Sequence, residues 1–188
     1  MKTTDEILKI KATLLYILKS FPGGVDFIKL FKILYFAQQE HLVTYGRVIV
    51  QDTFYALKHG PVPSFSYKAL QLANGKDVNK EFEIFLEGIK VIDKLVYSEI
   101  NPDLEELSGS NIKCLDNSIL KYKDIDPYDL SELSHDDAWR NAYNRILEDP
   151  EKDRISIIEI AKSGKAKKGM INYIRDVQII NRSLYCEN

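Results

Sequence analysis

The chain has 188 residues, 45% of them hydrophobic and 29% charged, with a formal net charge of −2. That balance fits a soluble globular protein with a sizeable core and argues against a chain whose main task is coating nucleic acid. No apolar run is long enough to span a bilayer, and the opening MKTTDEILKIK lacks a signal peptide's apolar core, so a cytoplasmic protein with no membrane partner is expected.

Thr3 and Glu6 fit a capping box, followed at helical spacing by Ile7, Ile10, Leu14, Leu15, Ile17, Leu18 and Phe21. Pro22-Gly23-Gly24 should stop this helix, and Asp26 can cap the next. Residues Phe27 to Leu42 are apolar over more than the roughly 100° stripe of a surface helix, so a central helix contacted from several sides is predicted, running on to Gly46 and packing on the first as a hairpin. A β-prone ribbon should follow, Val48-Ile49-Val50 with Phe54-Tyr55-Ala56-Leu57, turning at Gln51-Asp52. His59-Gly60-Pro61-Val62-Pro63 then has to leave the sheet, since both prolines lack an amide donor.

Ser64 can cap a helix from Phe65 to Ala73 that closes on Asn74-Gly75, with a polar loop over Lys76 to Lys80. Between Glu81 and Ile100 the pattern suits a short helix around Phe82, Phe85 and Leu86, then a strand over Val91 to Tyr97 paired with the ribbon. Ile112, Leu115, Ile119 and Tyr122 mark one face of a helix, and Asp126-Pro127 starts another that runs to Leu133. Ser134-His135-Asp136-Asp137 reads as a tight turn before a helix with Trp139 and Tyr143, ended by Asp149-Pro150. A short element over Ser156 to Ile160 and an amphipathic helix over Lys168 to Tyr185, with Met170, Tyr173, Ile174, Val177, Ile180 and Leu184 as its stripe, complete the chain. The fold class expected is mainly α (α+β): a helical domain around a buried central helix, with a small antiparallel sheet.

No constellation specifies an enzyme. Ser134-His135-Asp136 has the residue types of a nucleophilic triad, but a triad is assembled in space and adjacent residues cannot form one. Asp129, Glu132, His135, Asp136 and Asp137 offer metal-ligand types without a metal-site spacing, so no metal is expected. Cys114 and Cys186 are far apart and read as reduced thiols, and no cofactor fingerprint is present. His41 reads as a hydrogen-bonded helix-end residue, and His59 as either a turn brace or a functional group. Lys162, Lys165, Lys167 and Lys168 form a basic cluster without Walker spacing, and nucleic acid is not expected as a partner. Eleven tyrosines suit either a core or a protein interface.

Three runs carry a family likeness: Ile28-Lys29-Leu30-Phe31-Lys32-Ile33-Leu34-Tyr35-Phe36-Ala37, Tyr45-Gly46-Arg47, and Phe54 to Pro63. With Leu107-Ser108 and the segment Asp126 to Trp139, they resemble the Panacea domain of toxin–antitoxin and phage-associated proteins. Phe31 and Tyr128 stand where leucine and tryptophan are more usual, and the tail beyond Asp149 lies outside the likeness. The resemblance implies a Panacea-like antitoxin domain over residues 1–150, and the helical pattern of residues 151–188 reads as an extension packed on the same domain. It also implies neutralisation of a cognate toxin encoded nearby by direct binding, not catalysis. Some relatives instead deliver their toxin to an ATP-dependent protease as adaptors, and others belong to phage settings. On this reading His59, Pro61, Pro63, Tyr67, Tyr128, His135 and Trp139 are candidate partner-binding residues, framed by two rigid corners, His59 to Pro63 and Ser134 to Trp139, that are expected to lie near each other. The alternative is that both corners brace a binding surface elsewhere.

Overall fold

The computed structural model describes residues 2–75, 78–149 and 151–185. Its frame is the central helix α2 (Phe27–Tyr45), reached through α1 (Thr4–Leu18) and the two-residue strand β1 (Val25–Asp26). The predicted capping box on α1 is present, and Asp26 accepts from the Lys29 amide to start α2. Gly46 ends α2 in the left-handed conformation that glycine adopts without a Cβ penalty. Leu30, Phe31, Ile33, Leu34, Tyr35, Ala37 and Leu42 are buried, so burial reaches round the whole helix. It packs on α1, on α5 (Gly109–Tyr122), on α6 (Pro127–Leu133) and on α8 (Ile157–Ser163). Ser118 of α5 donates to the Ile33 carbonyl at 2.7 Å, and the rings of Phe36 and Tyr122 stack with centroids 4.4 Å apart.

Two small antiparallel sheets flank this helical body, and both correct the sequence expectation. The ribbon is not Val48–Val50 with Phe54–Leu57. It is β2 (Phe54–Leu57) with β3 (Gly60–Pro63), turning at Lys58-His59. Val48–Val50 is kept out of a ladder because the buried Gln38 side chain takes its backbone: Oε1 accepts from the Ile49 and Val50 amides and Nε2 donates to the Val50 carbonyl. The prolines do not expel β3 from the sheet, for a reason of register. The Ser64 amide donates to the Thr53 carbonyl, and hydrogen-bonded pairs alternate along an antiparallel ladder. Tyr55↔Val62 and Leu57↔Gly60 therefore fall on bonded positions, whereas Pro61 and Pro63 fall on positions that need no amide. On its other side β2 pairs with β6 (Arg154–Ile155), giving the order β3-β2-β6.

Helix α3 (Ser64–Gln71) lacks a side-chain cap of its own. Asp52, predicted as a turn residue, does that work from across the loop: it accepts from the Phe65 and Ser66 amides and from the Ser66 hydroxyl. The helix closes at Leu72, short of the expected Asn74-Gly75 stop. After α4 (Lys80–Leu86), β4 (Ile89–Ile92) and β5 (Leu95–Ser98) form a second hairpin. Asp93 and Lys94 at its tip both have positive φ, the geometry that suits a two-residue turn to the twist of its strands. Its partner is β1, in the order β1-β5-β4, and not the ribbon as expected.

The second half follows the predicted order through a 3₁₀ turn (Leu104–Glu106), α5, α6 and α7 (Asp137–Ile146), with Asp126 capping α6 and Asp136 capping α7. α7 ends at Ile146; Pro150, like Lys76 and Cys186, lies outside the described residues. β6, α8 and α9 (Lys168–Tyr185) follow. Among the described side chains of α9 the buried ones are Ile171 and Ile174, while Tyr173 and Ile180 from the predicted stripe are exposed; Leu184 of that stripe lies outside them. Among the described residues no helix is long and apolar enough to cross a membrane.

Candidate functional site

The two corners singled out in the sequence meet. The first is the β2–β3 hairpin tip, Leu57 to Gly60. The second is the junction of α6 with α7, where Asp136 is the anchor. Its Oδ1 accepts from the Trp139 amide, and its Oδ2 accepts from the Tyr35 hydroxyl and from Gln39 Nε2, both at 2.9 Å. Tyr35 is fully buried on α2, so the central helix sets where α7 begins. Burial raises the Tyr35 phenol well above its ordinary pKa, and the Asp136 charge adds to the effect; the hydroxyl keeps its proton and remains a donor.

From that anchor the indole of Trp139 reaches across, and its Nε1 donates to the Leu57 carbonyl at 2.9 Å. His135, Trp139 and Tyr143 stand four residues apart and form a ladder of stacked rings. The His135–Trp139 centroids are 3.7 Å apart and the Trp139–Tyr143 centroids 4.7 Å apart, with interplanar angles of 19° and 21°. His59 at the hairpin tip lies edge-on to Tyr128 at 6.4 Å. Glu132 sits 3.6 Å from His135 Nδ1. Burial pushes the His135 imidazole below the usual histidine range; Glu132 opposes the shift and Lys32 adds to it. The ring is therefore neutral at pH 7, which suits its stacking on an indole.

Beneath the corners sits Lys32, only 1% exposed. Its Nζ donates to the Pro61 carbonyl at 2.8 Å, and burial lowers its pKa to about 7 against a small opposing pull from Asp26. Gly60 has φ +93°, and a Cβ there would collide with Ser134 Oγ and lie 2.8 Å from Lys32 Cε. Glycine is required at this position both by conformation and by the closeness of the α6–α7 junction. The Ser134 hydroxyl itself donates to the Ser131 carbonyl at 2.7 Å.

These placements sort the candidate residues. His59 and Tyr128 are exposed, and His135 and Trp139 are half-buried. Pro61 and Pro63 are buried in β3, and Tyr67 is half-buried edge-on against Phe27 and Phe31, so these three hold the frame beneath the surface. Leu57, Tyr143 and Lys32 are additions that sequence reasoning missed. Tyr143 could have been found from its spacing of four from Trp139, and Leu57 from its place at the hairpin end. Lys32 left no signal. Ser134, His135 and Asp136 do not form a triad, because Ser134 and Asp136 turn to separate structural bonds. Among the described residues no group of three or more His, Cys, Asp or Glu side chains could hold a metal ion.

The basic cluster is spread over the end of α8, the connecting loop and the start of α9, with all four lysines exposed. His41 bonds the Arg47 carbonyl through Nδ1 at 2.6 Å and Ser110 through Nε2 at 3.0 Å, tying the end of α2 to the start of α5. Cys114 is a buried free thiol whose pKa burial raises to about 11, so it is unreactive at neutral pH.

Compared with known protein families, residues 30–140 match the one described as "Antitoxin SocA-like, Panacea domain", more than half of the chain. Neither the curated proteins nor the solved structures contain a match to this chain. The matched span opens within α2 and closes one residue beyond Trp139, so it holds both corners and the helix beneath them.

Proposed function

The chain belongs to the SocA-like antitoxin family that carries the Panacea domain, and from that premise we propose that it neutralises a protein toxin by binding it directly at the surface where the two corners meet. The observation that supports this reading is an exposed apolar and aromatic surface on a frame held by buried hydrogen bonds and stacked rings. Leu57 is 37% exposed, Tyr128 66% and Tyr143 36%, and they lie beside His59 and Trp139. Aromatic side chains with two side-chain torsions lose little entropy on contact, and the stacked ladder has already lost most of that. The action is stoichiometric binding, not turnover, and the partner is a toxin encoded beside this chain.

The test uses exposed positions, so that folding is preserved. Tyr128→Arg and Tyr143→Glu together should abolish both rescue of growth and co-purification with the adjacent gene product, with an unchanged circular dichroism spectrum. Rescue retained by this variant would place the interface elsewhere. Purified components without protease separate direct neutralisation from delivery to a protease: the toxin should be silenced in that mixture.

A further inference from the structure

A cleft of about 740 Å³ opens between the loop after α2, the β2–β6 edge and helix α9, and none of the corner residues lines it. That volume is in the range of small-molecule sites. One wall belongs to the segment matched by the family and carries Arg47; the other belongs to the tail beyond it and carries Arg154. Both arginines are exposed, and among the described residues neither has a carboxylate within ion-pair distance, whereas Arg140 and Arg145 each have one. Asp52 is the one acid in the lining, and its two oxygens are already turned to the amides and hydroxyl at the start of α3.

A guanidinium offers a planar fork of donors matched to phosphate or carboxylate oxygens, and a concave wall concentrates its field. Two such groups with no internal counter-charge favour a ligand carrying at least two negative charges. Gln178 and Asn181 of α9 add amide donors to the lining. Val48, Ile157 and Val177, all half-buried, supply apolar wall, which favours an organic body over a bare inorganic ion.

We infer that the cleft between the α2–β2 loop and α9 binds a small organic anion carrying two or more negative charges, held by Arg47 and Arg154. Organic phosphates and dicarboxylates share this chemistry, and the site is independent of the toxin reading. Calorimetric titration of the full chain with ADP, inorganic pyrophosphate and citrate tests it. ADP or citrate should bind saturably at millimolar concentration or below, and more tightly than pyrophosphate; which of the two binds tells phosphate from carboxylate. The double variant Arg47→Ala, Arg154→Ala should weaken binding by roughly tenfold or more. Gln178→Trp, which fills the cleft without touching a charge, should weaken it too. Neither variant removes a hydrogen bond or ion pair within the described residues, so both should keep the wild-type melting temperature without ligand. Absence of saturable binding by both ADP and citrate, or binding that survives in both variants, would overturn the assignment.

Discussion

At the residue scale, two buried polar groups set the corners. The Tyr35 hydroxyl donates to a carboxylate that also starts α7, so Tyr35→Phe removes a charge-assisted hydrogen bond while leaving the ring in place. The expected loss is about 1.5–3 kcal/mol, read from urea unfolding. Trp139 is the one tryptophan of the chain and is an internal fluorescence reporter of the same event. Lys32 gives a pH signature. Its folded pKa, about 7, lies below the ordinary 10.5, so between those values the unfolded chain holds a proton that the folded chain does not. Stability from this group therefore rises as pH rises through 7 and is reduced below it. The gain should be on the order of 2 kcal/mol between pH 7 and 9. Lys32→Met should remove that rise, measured as the difference in unfolding free energy between the two proteins across the range. A slope unchanged by the substitution would mean that Lys32 stays charged in the fold. The sequence could not show this residue's role: a lysine on an otherwise apolar helix reads as its solvent side, as it is for the neighbouring Lys29, whose ammonium reaches the Lys123 carbonyl at the surface.

At the element scale, local signals in the sequence located helices well, because the caps lie next to the elements they start. Thr3, Asp26, Asp126 and Asp136 each cap the helix that immediately follows. The misreadings came where a side chain acts across a loop. Gln38 holds Val48–Val50 out of a ladder, and Asp52 caps a helix twelve residues further on. Neither spacing has a local signature. The prolines of β3 misled for a different reason: only alternate amides of an edge strand are needed, so their placement is decided by register, which sequence does not give. Asp52→Ala should cost about 2 kcal/mol, since it leaves the α3 amides and a buried serine hydroxyl without an acceptor. Gly60→Ala should cost about 2–3 kcal/mol through its positive φ and the collision with Ser134. The second change should also disturb the Trp139 fluorescence, because it forces the two corners apart, whereas Asp52→Ala should leave that signal near its wild-type value.

At the scale of the whole molecule, the tail beyond the family match is tied into the body at several points. α7 runs from inside the match into the tail, where its Arg145 pairs with Glu159 of α8 at 2.6 Å and donates to the Lys152 and Arg154 carbonyls. β6 covers the free edge of β2, and the Ala56 amide donates to the Asp153 carbonyl at 2.8 Å. The strand that carries Leu57 is thus held on one side by the family segment and on the other by the tail. The sequence located both corners through the family's motifs, yet it could not rank their residues as surface or frame, because that division depends on which face of β3 and α6 turns outward. Whether this surface binds a toxin is decided by co-expression. The protein and the product of the adjacent gene are co-expressed, with and without Tyr128→Arg and Tyr143→Glu, and growth is recorded alongside co-purification. Rescue and a stoichiometric complex are expected for the wild-type chain and neither for the double variant; a fully rescuing, complex-forming double variant would place toxin binding elsewhere or rule it out.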